Sequence, residues 1–198
     1  PAGINRYPMM VLVPDGNYAG AYTTVDSCEG QYLPYIVAYS GGLSQGSWYK
    51  VMACHELNHA SQFSYGSAHE FWWWEATATY SEEAVYPAED DWANFVYAYG
   101  EWPFMGLNAW QGNDNDNDLF YHTYAMAIWG FYLDQYYGGV EAVQETWELA
   151  YGRRNSTNGY DYWMPDVVED MDLDFNEVWA GFMATNAVMA YAERDNYH

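Results

Sequence analysis

Apolar and polar positions divide this chain into two regimes. From Arg6 to Ser40 the apolar residues fall in short runs rich in β-branched and aromatic side chains: Arg6–Val13 (RYPMMVLV), Ala21–Asp26 and Tyr32–Ser40 (YLPYIVAYS). Runs of this length and composition predict strands, and the turn signals Pro14-Asp15-Gly16 and Gly41-Gly42 close the first and the last. From about Ser47 the spacing turns helical. It predicts a helix to about Tyr65, with Gly66 as its stop, and a second over Glu70–Tyr86, ended by Pro87. Further helical segments are expected near Glu89–Tyr99, Phe120–Tyr137, Val140–Tyr151 and Phe175–Tyr191, with Asp174 placed to cap the last. Strands first and helices after define an α+β chain, strand-rich over about 1–45 and helical over about 46–198. No internal repeat and no Pro/Gly/Ser linker divides it, so the 198 residues are read as a single domain.

One short pattern carries chemistry. His55-Glu56-Leu57-Asn58-His59 is an H-E-x-x-H inside the first expected helix. Residues four apart share a helix face, so both imidazoles can hold one metal ion, and Glu56 stands one step round, in reach of a water on that ion. A chain with 5 His would hold about 0.009 such matches by chance, so the register is informative. A hydrolytic zinc site needs a third protein ligand and one open position. The extended form of the motif is absent, because Gln62 stands where its glycine belongs and Tyr65 where its third histidine belongs. That leaves an acidic ligand from the following helix. Glu75 is the candidate, flanked by small residues at 76, 78 and 79 that allow close packing, with Glu70, Glu82, Glu83 and His69 as rivals.

These residues carry a resemblance. His55–His59 followed by Trp72-Trp73-Trp74-Glu75-Ala76-Thr77-Ala78 resembles the gluzincin group of zinc metallopeptidases, closest to a set of secreted bacterial zincin-like proteins whose second helix reads WWxEATA. Tyr124–Trp129 resembles that group's helix behind the site and Phe175–Ala187 its closing helix. The resemblance implies a zincin-like fold, with a small, mostly antiparallel N-terminal sheet, an active-site helix and a mainly helical remainder. It implies Zn²⁺ held by His55, His59 and Glu75, and Glu56 as general base. Tyr124 aligns with the family's oxyanion-stabilising tyrosine, with His122 as the alternate. The interval from His59 to Glu75 is shorter than in thermolysin-like members. The expected activity is hydrolysis of peptide bonds in extracellular proteins or peptides. The competing class is a binding or structural surface protein on the same scaffold, with bound zinc and little turnover. A zinc hydrolase of non-peptide bonds is a third.

Composition narrows the partners. Asp and Glu number 28 against 5 Lys and Arg, a net charge of −23, which excludes the basic groove that nucleic acid needs and suits a well-solvated, salt-tolerant surface. No apolar run approaches the ~18 residues of a membrane span, and no leader pattern opens the chain at Pro1, which is read as a processed product or excised domain. Cys28 and Cys54 permit one disulfide, and with the acidic, tyrosine-rich composition they favour an extracellular or cell-surface address. Aromatics are abundant, with 22 Tyr, 11 Trp and 8 Phe; composition does not separate a ligand groove from a packed core. Oligomeric state is not legible.

Two further patterns read as decoys. Gly42-Leu43-Ser44-Gln45-Gly46 spells a nucleophile elbow, but the strands before it are too closely spaced for a parallel βαβ sheet, so Ser44 is expected to serve a turn. The run Asn113–Asp118 alternates carboxylates like the start of a calcium loop. Leu119 replaces the turn glycine and Ala125 the final carboxylate, which excludes an EF-hand and leaves only a looser Ca²⁺ site.

Overall fold

The computed structural model describes residues 9–28, 31–66, 70–102, 105–109, 117–153 and 163–191. They form two compact units, Pro1–Ser64 and Tyr65–His198. The class is α+β, with one small sheet and a mostly helical remainder.

The first unit is a three-stranded sheet and one long helix. β1 (Met9–Val13), β2 (Ala21–Cys28) and β3 (Gln31–Tyr39) lie in the order β1-β3-β2. β2 and β3 form an antiparallel hairpin, Ala21 opposite Ala38 and Cys28 opposite Gln31. β1 runs parallel to β3, Met9 opposite Tyr35 and Val13 opposite Tyr39. The expected mostly antiparallel sheet is thus corrected to a mixed one. β3 enters between the two earlier strands, and pairing antiparallel to β2 makes it parallel to β1.

Burial follows strand position. In the central strand Ile36, Val37 and Ala38 are all buried, whereas Met10, Val11 and Leu12 on the edge strand are exposed despite their equal hydrophobicity. The Gly42-Leu43-Ser44-Gln45 segment is a 3₁₀ turn over Ser40–Gln45, in which the Ser44 hydroxyl donates to the Gly41 carbonyl at 2.8 Å, the turn role expected of it. Gly42 is needed there, since a β-carbon would lie 2.7 Å from the Ala19 carbonyl oxygen.

α1 (Trp48–Gln62) packs on β2 and β3. Its buried positions, Val51, Met52, His55, Glu56, Ala60 and Gln62, mix apolar and polar residues on the side turned from water. The helix stops before the expected Tyr65, and Gly66 takes a left-handed φ of 68° a few residues later.

Among its described residues the second unit carries helices and no strand. α2 (Phe71–Val85) is buried on almost every side, through Trp72, Trp73, Ala76, Thr77, Ala78, Thr79, Tyr80, Glu82 and Glu83. A helix this apolar around its first turns is a core helix. It packs on α4 (Asn117–Ala125) and α5 (Ala127–Tyr137). The Tyr80 ring lies against Gly130 of α5, and its hydroxyl donates to Asp134 at 2.6 Å. The Trp73 indole N–H donates to Thr146 Oγ1 at 2.9 Å, tying α2 to α6 (Val140–Arg153).

Four expectations shift in this unit. The segment near Glu89–Tyr99 is a 3₁₀ turn, Asp91–Asn94, followed by a short α3 (Val96–Glu101). The single helix expected over Phe120–Tyr137 is two, meeting at Met126, where the Trp129 N–H bonds back three residues to the Met126 carbonyl. A seven-residue α7 (Met164–Asp170) was not expected; Pro165 opens it and Asp166 accepts from the Trp163 N–H at 3.2 Å. α8 (Phe175–Ala187) ends short of Tyr191, and the Asp174 carboxylate caps it as expected, accepting from the N–H groups of Asn176 and Glu177 at 2.8 and 3.1 Å. Among the described residues no helix is long and apolar enough to cross a membrane.

Candidate metal centre

α1 positions the two histidines. One helical turn apart, their rings stand at 81° with Nε2 atoms 3.0 Å from each other. Two nitrogens converging on one point suit a shared ion, for which bonds of ~2.0–2.1 Å in a tetrahedron place ligand atoms roughly 3.3 Å apart. Glu75 on α2 joins them: one ligand atom from each of His55, His59 and Glu75 lies within 4.8 Å of the other two. Two imidazole nitrogens and one carboxylate oxygen are a donor set that fits a divalent ion of borderline softness and leaves a fourth position open. Among the described residues this is the group of His, Cys, Asp and Glu with metal-holding geometry.

Neighbouring side chains orient the His59 ring. His59 Nδ1 lies 2.7 Å from Gln62 Oε1. An amide oxygen only accepts, so Nδ1 carries the proton and Nε2 presents its lone pair. The Gln62 amide is itself oriented, its Nε2 donating to Asn58 Oδ1 at 2.6 Å. Gln62 is 3% exposed and replaces the glycine of the longer histidine motif, so the departure noted in the sequence has a structural use.

Glu56 is buried beside His55, 6% exposed. Thr23, on β2, places its hydroxyl 2.6 Å from Glu56 Oε2 and 2.8 Å from the Glu56 backbone carbonyl. One hydroxyl proton serves one of these acceptors at a time; given to Oε2 it fixes the carboxylate against the strand, and given to the carbonyl it holds the helix backbone there. Neither the spacing nor the motif pointed to Thr23, 33 residues away in sequence. Gln62, one turn beyond His59 on the same helix, was within reach of spacing arguments.

The other expected residues fall elsewhere. Glu70 accepts from the Met164 N–H at 3.4 Å and Glu83 from the Trp92 N–H at 3.0 Å; Glu82 is buried in the last turns of α2. His69 lies outside the described residues, as does 110–116, which takes in most of the alternating acidic run and its Ca²⁺ expectation. Cys54 is half-buried on α1 and Cys28 ends β2, but the Cys28 side chain is outside those described, and with it the expected disulfide. Tyr124 sits half-buried on α4, its ring near-parallel to Phe95 at 5.1 Å and 4.8 Å from Phe120. His122 on the same helix is 1% exposed with no hydrogen bond to Nδ1, and burial pulls its imidazole down to about 4.

Comparison of the chain with protein-family models, curated proteins and solved structures finds no match.

Proposed function

We propose that this chain is a zinc-dependent peptide hydrolase of the gluzincin type, acting on extracellular proteins or peptides. The observation that carries the reading is the convergence of His55, His59 and Glu75 next to a buried, oriented Glu56. His55, His59 and Glu75 would hold Zn²⁺, which supplies Lewis acidity toward the scissile carbonyl and acidifies water at the open position. The rest is work for this chain's own groups. Glu56, anchored through Oε2 by Thr23, presents Oε1 to take the proton of the attacking water and return it to the leaving nitrogen. Gln62 keeps the His59 proton on Nδ1. Tyr124 is assigned to donate to the developing oxyanion, a role that rests on the family resemblance.

A general base distinguishes this arrangement from a passive zinc site, because a binder has no need of Glu56. The test is mass-spectrometric cleavage of a diverse peptide library by zinc-loaded protein, beside Glu56→Gln with its zinc content measured. Cleavage that chelator abolishes and Glu56→Gln loses by at least ~100-fold, with zinc retained, supports the proposal. Full zinc occupancy with no cleavage by either protein moves the reading to a binding module on the same scaffold. Equal cleavage by both would refute Glu56 as base.

A further inference from the structure

The second unit holds a pocket of about 360 Å³, lined in part by Glu70, Trp72, Asn108, Trp163, Phe175 and Trp179. Its size sits at the small end of the range for organic ligands. Its chemistry is uneven. Phe175 and Trp179, one turn apart on α8, hold their rings near-parallel at 20°, with centroids 6.2 Å apart. Trp163, at the start of α7, is 51% exposed, a large apolar surface left to water at the edge of the pocket. Against these stand polar groups at the start of α2. The Glu70 carboxylate takes the Met164 N–H only at 3.4 Å. Burial pushes the Glu70 carboxyl above its usual range, and nearby donors on Trp72, Met164 and Asn108 offset part of that rise. The Trp72 indole N–H is near enough to act on the carboxylate but makes no hydrogen bond of ordinary geometry, although Trp72 is 1% exposed.

We propose that this pocket binds a saccharide ring. A pyranose suits this lining: hydroxyls that donate to the Glu70 carboxylate, and apolar C–H faces that pack on flat aromatic rings. Near-parallel rings suit a flat ring, whereas an ammonium ion is best enclosed by aromatic faces on several sides. The site uses none of His55, Glu56 or His59, so it stands or falls independently of the zinc reading.

The test is isothermal titration and saturation-transfer NMR on the intact chain. Methyl glycosides of glucose, galactose, mannose, xylose and N-acetylglucosamine are the probes, with choline chloride in parallel. At least one glycoside is expected to saturate. Trp163→Ala, on an exposed side chain, is expected to weaken it roughly tenfold without changing the unfolding midpoint. Glu70→Gln keeps an acceptor and should weaken it less than Trp163→Ala does. Saturation by choline alone, abolished by Glu70→Gln, would overturn the proposal in favour of a cation site. Saturation by none of the probes, or glycoside binding indifferent to Trp163→Ala, would overturn it outright.

Discussion

Two side chains outside the H-E-x-x-H pattern, Gln62 and Thr23, bond to residues within it. Gln62 decides which nitrogen of His59 is protonated, and that decides whether Nε2 can be a ligand. Replacing it with leucine removes that acceptor from Nδ1. Gln62→Leu is expected to lower zinc affinity about 10–100-fold, measured by competition with a chromogenic chelator. An unchanged affinity would mean that the amide contact is incidental. His122 acts on a different quantity. Its imidazole falls from the ordinary 6.5 to about 4 on folding, because burial disfavours the charged ring. The unfolded chain therefore binds a proton that the folded chain refuses. Its contribution to stability is complete above pH 6.5 and is lost as pH falls from there to about 4. The full loss is on the order of 3 kcal/mol. His122→Gln should flatten that part of the stability-against-pH curve, read by urea unfolding at several pH values. Parallel wild-type and variant curves would show that other groups carry the acid sensitivity.

Helices here are defined as much by their ends and neighbours as by their own periodicity. Asp174 satisfies two N–H groups that the first turn of α8 would otherwise leave open. Asp174→Ala should cost about 1 kcal/mol in denaturant unfolding, and Asp174→Ser should recover most of it. That cap was legible in the sequence because capping is local. The break at Met126 was not: no proline or glycine stands there, and Met126 is 1% exposed, so the break answers to packing in the core. α7 escaped notice for a related reason, since seven residues are too few to display a period. The edge position of β1 was equally hidden, because Met10, Val11 and Leu12 are as apolar as the residues of the central strand, and only the pairing order separates them.

The whole chain carries a net charge of −23, and like charges spread over its surface repel one another in the compact state. Screening should relieve that repulsion, the Debye length shrinking from about 10 Å at 0.1 M salt to about 3 Å at 1 M. The thermal unfolding midpoint is expected to rise by several degrees across that range of sodium chloride, in differential scanning calorimetry. A flat or falling midpoint would mean that the acidic surface is not limiting. At this scale the division between sequence and structure is plain. The chain itself determined that strands precede helices, that His55 and His59 share a helix face with Glu56 beside them, and that Asp174 caps a helix, because each depends on residues within a turn or a short run. It favoured Glu75 as the third ligand for the small residues around it, with a few acidic rivals on the same stretch. Tertiary structure decided that Glu75, not Glu70, Glu82 or Glu83, meets the two imidazoles. It also decided that Thr23 holds Glu56, that the sheet is mixed, and that Glu70 and Trp72 share a pocket with Trp163 and Trp179. Those outcomes join residues tens of positions apart, and no local spacing encodes a distance that only folding closes.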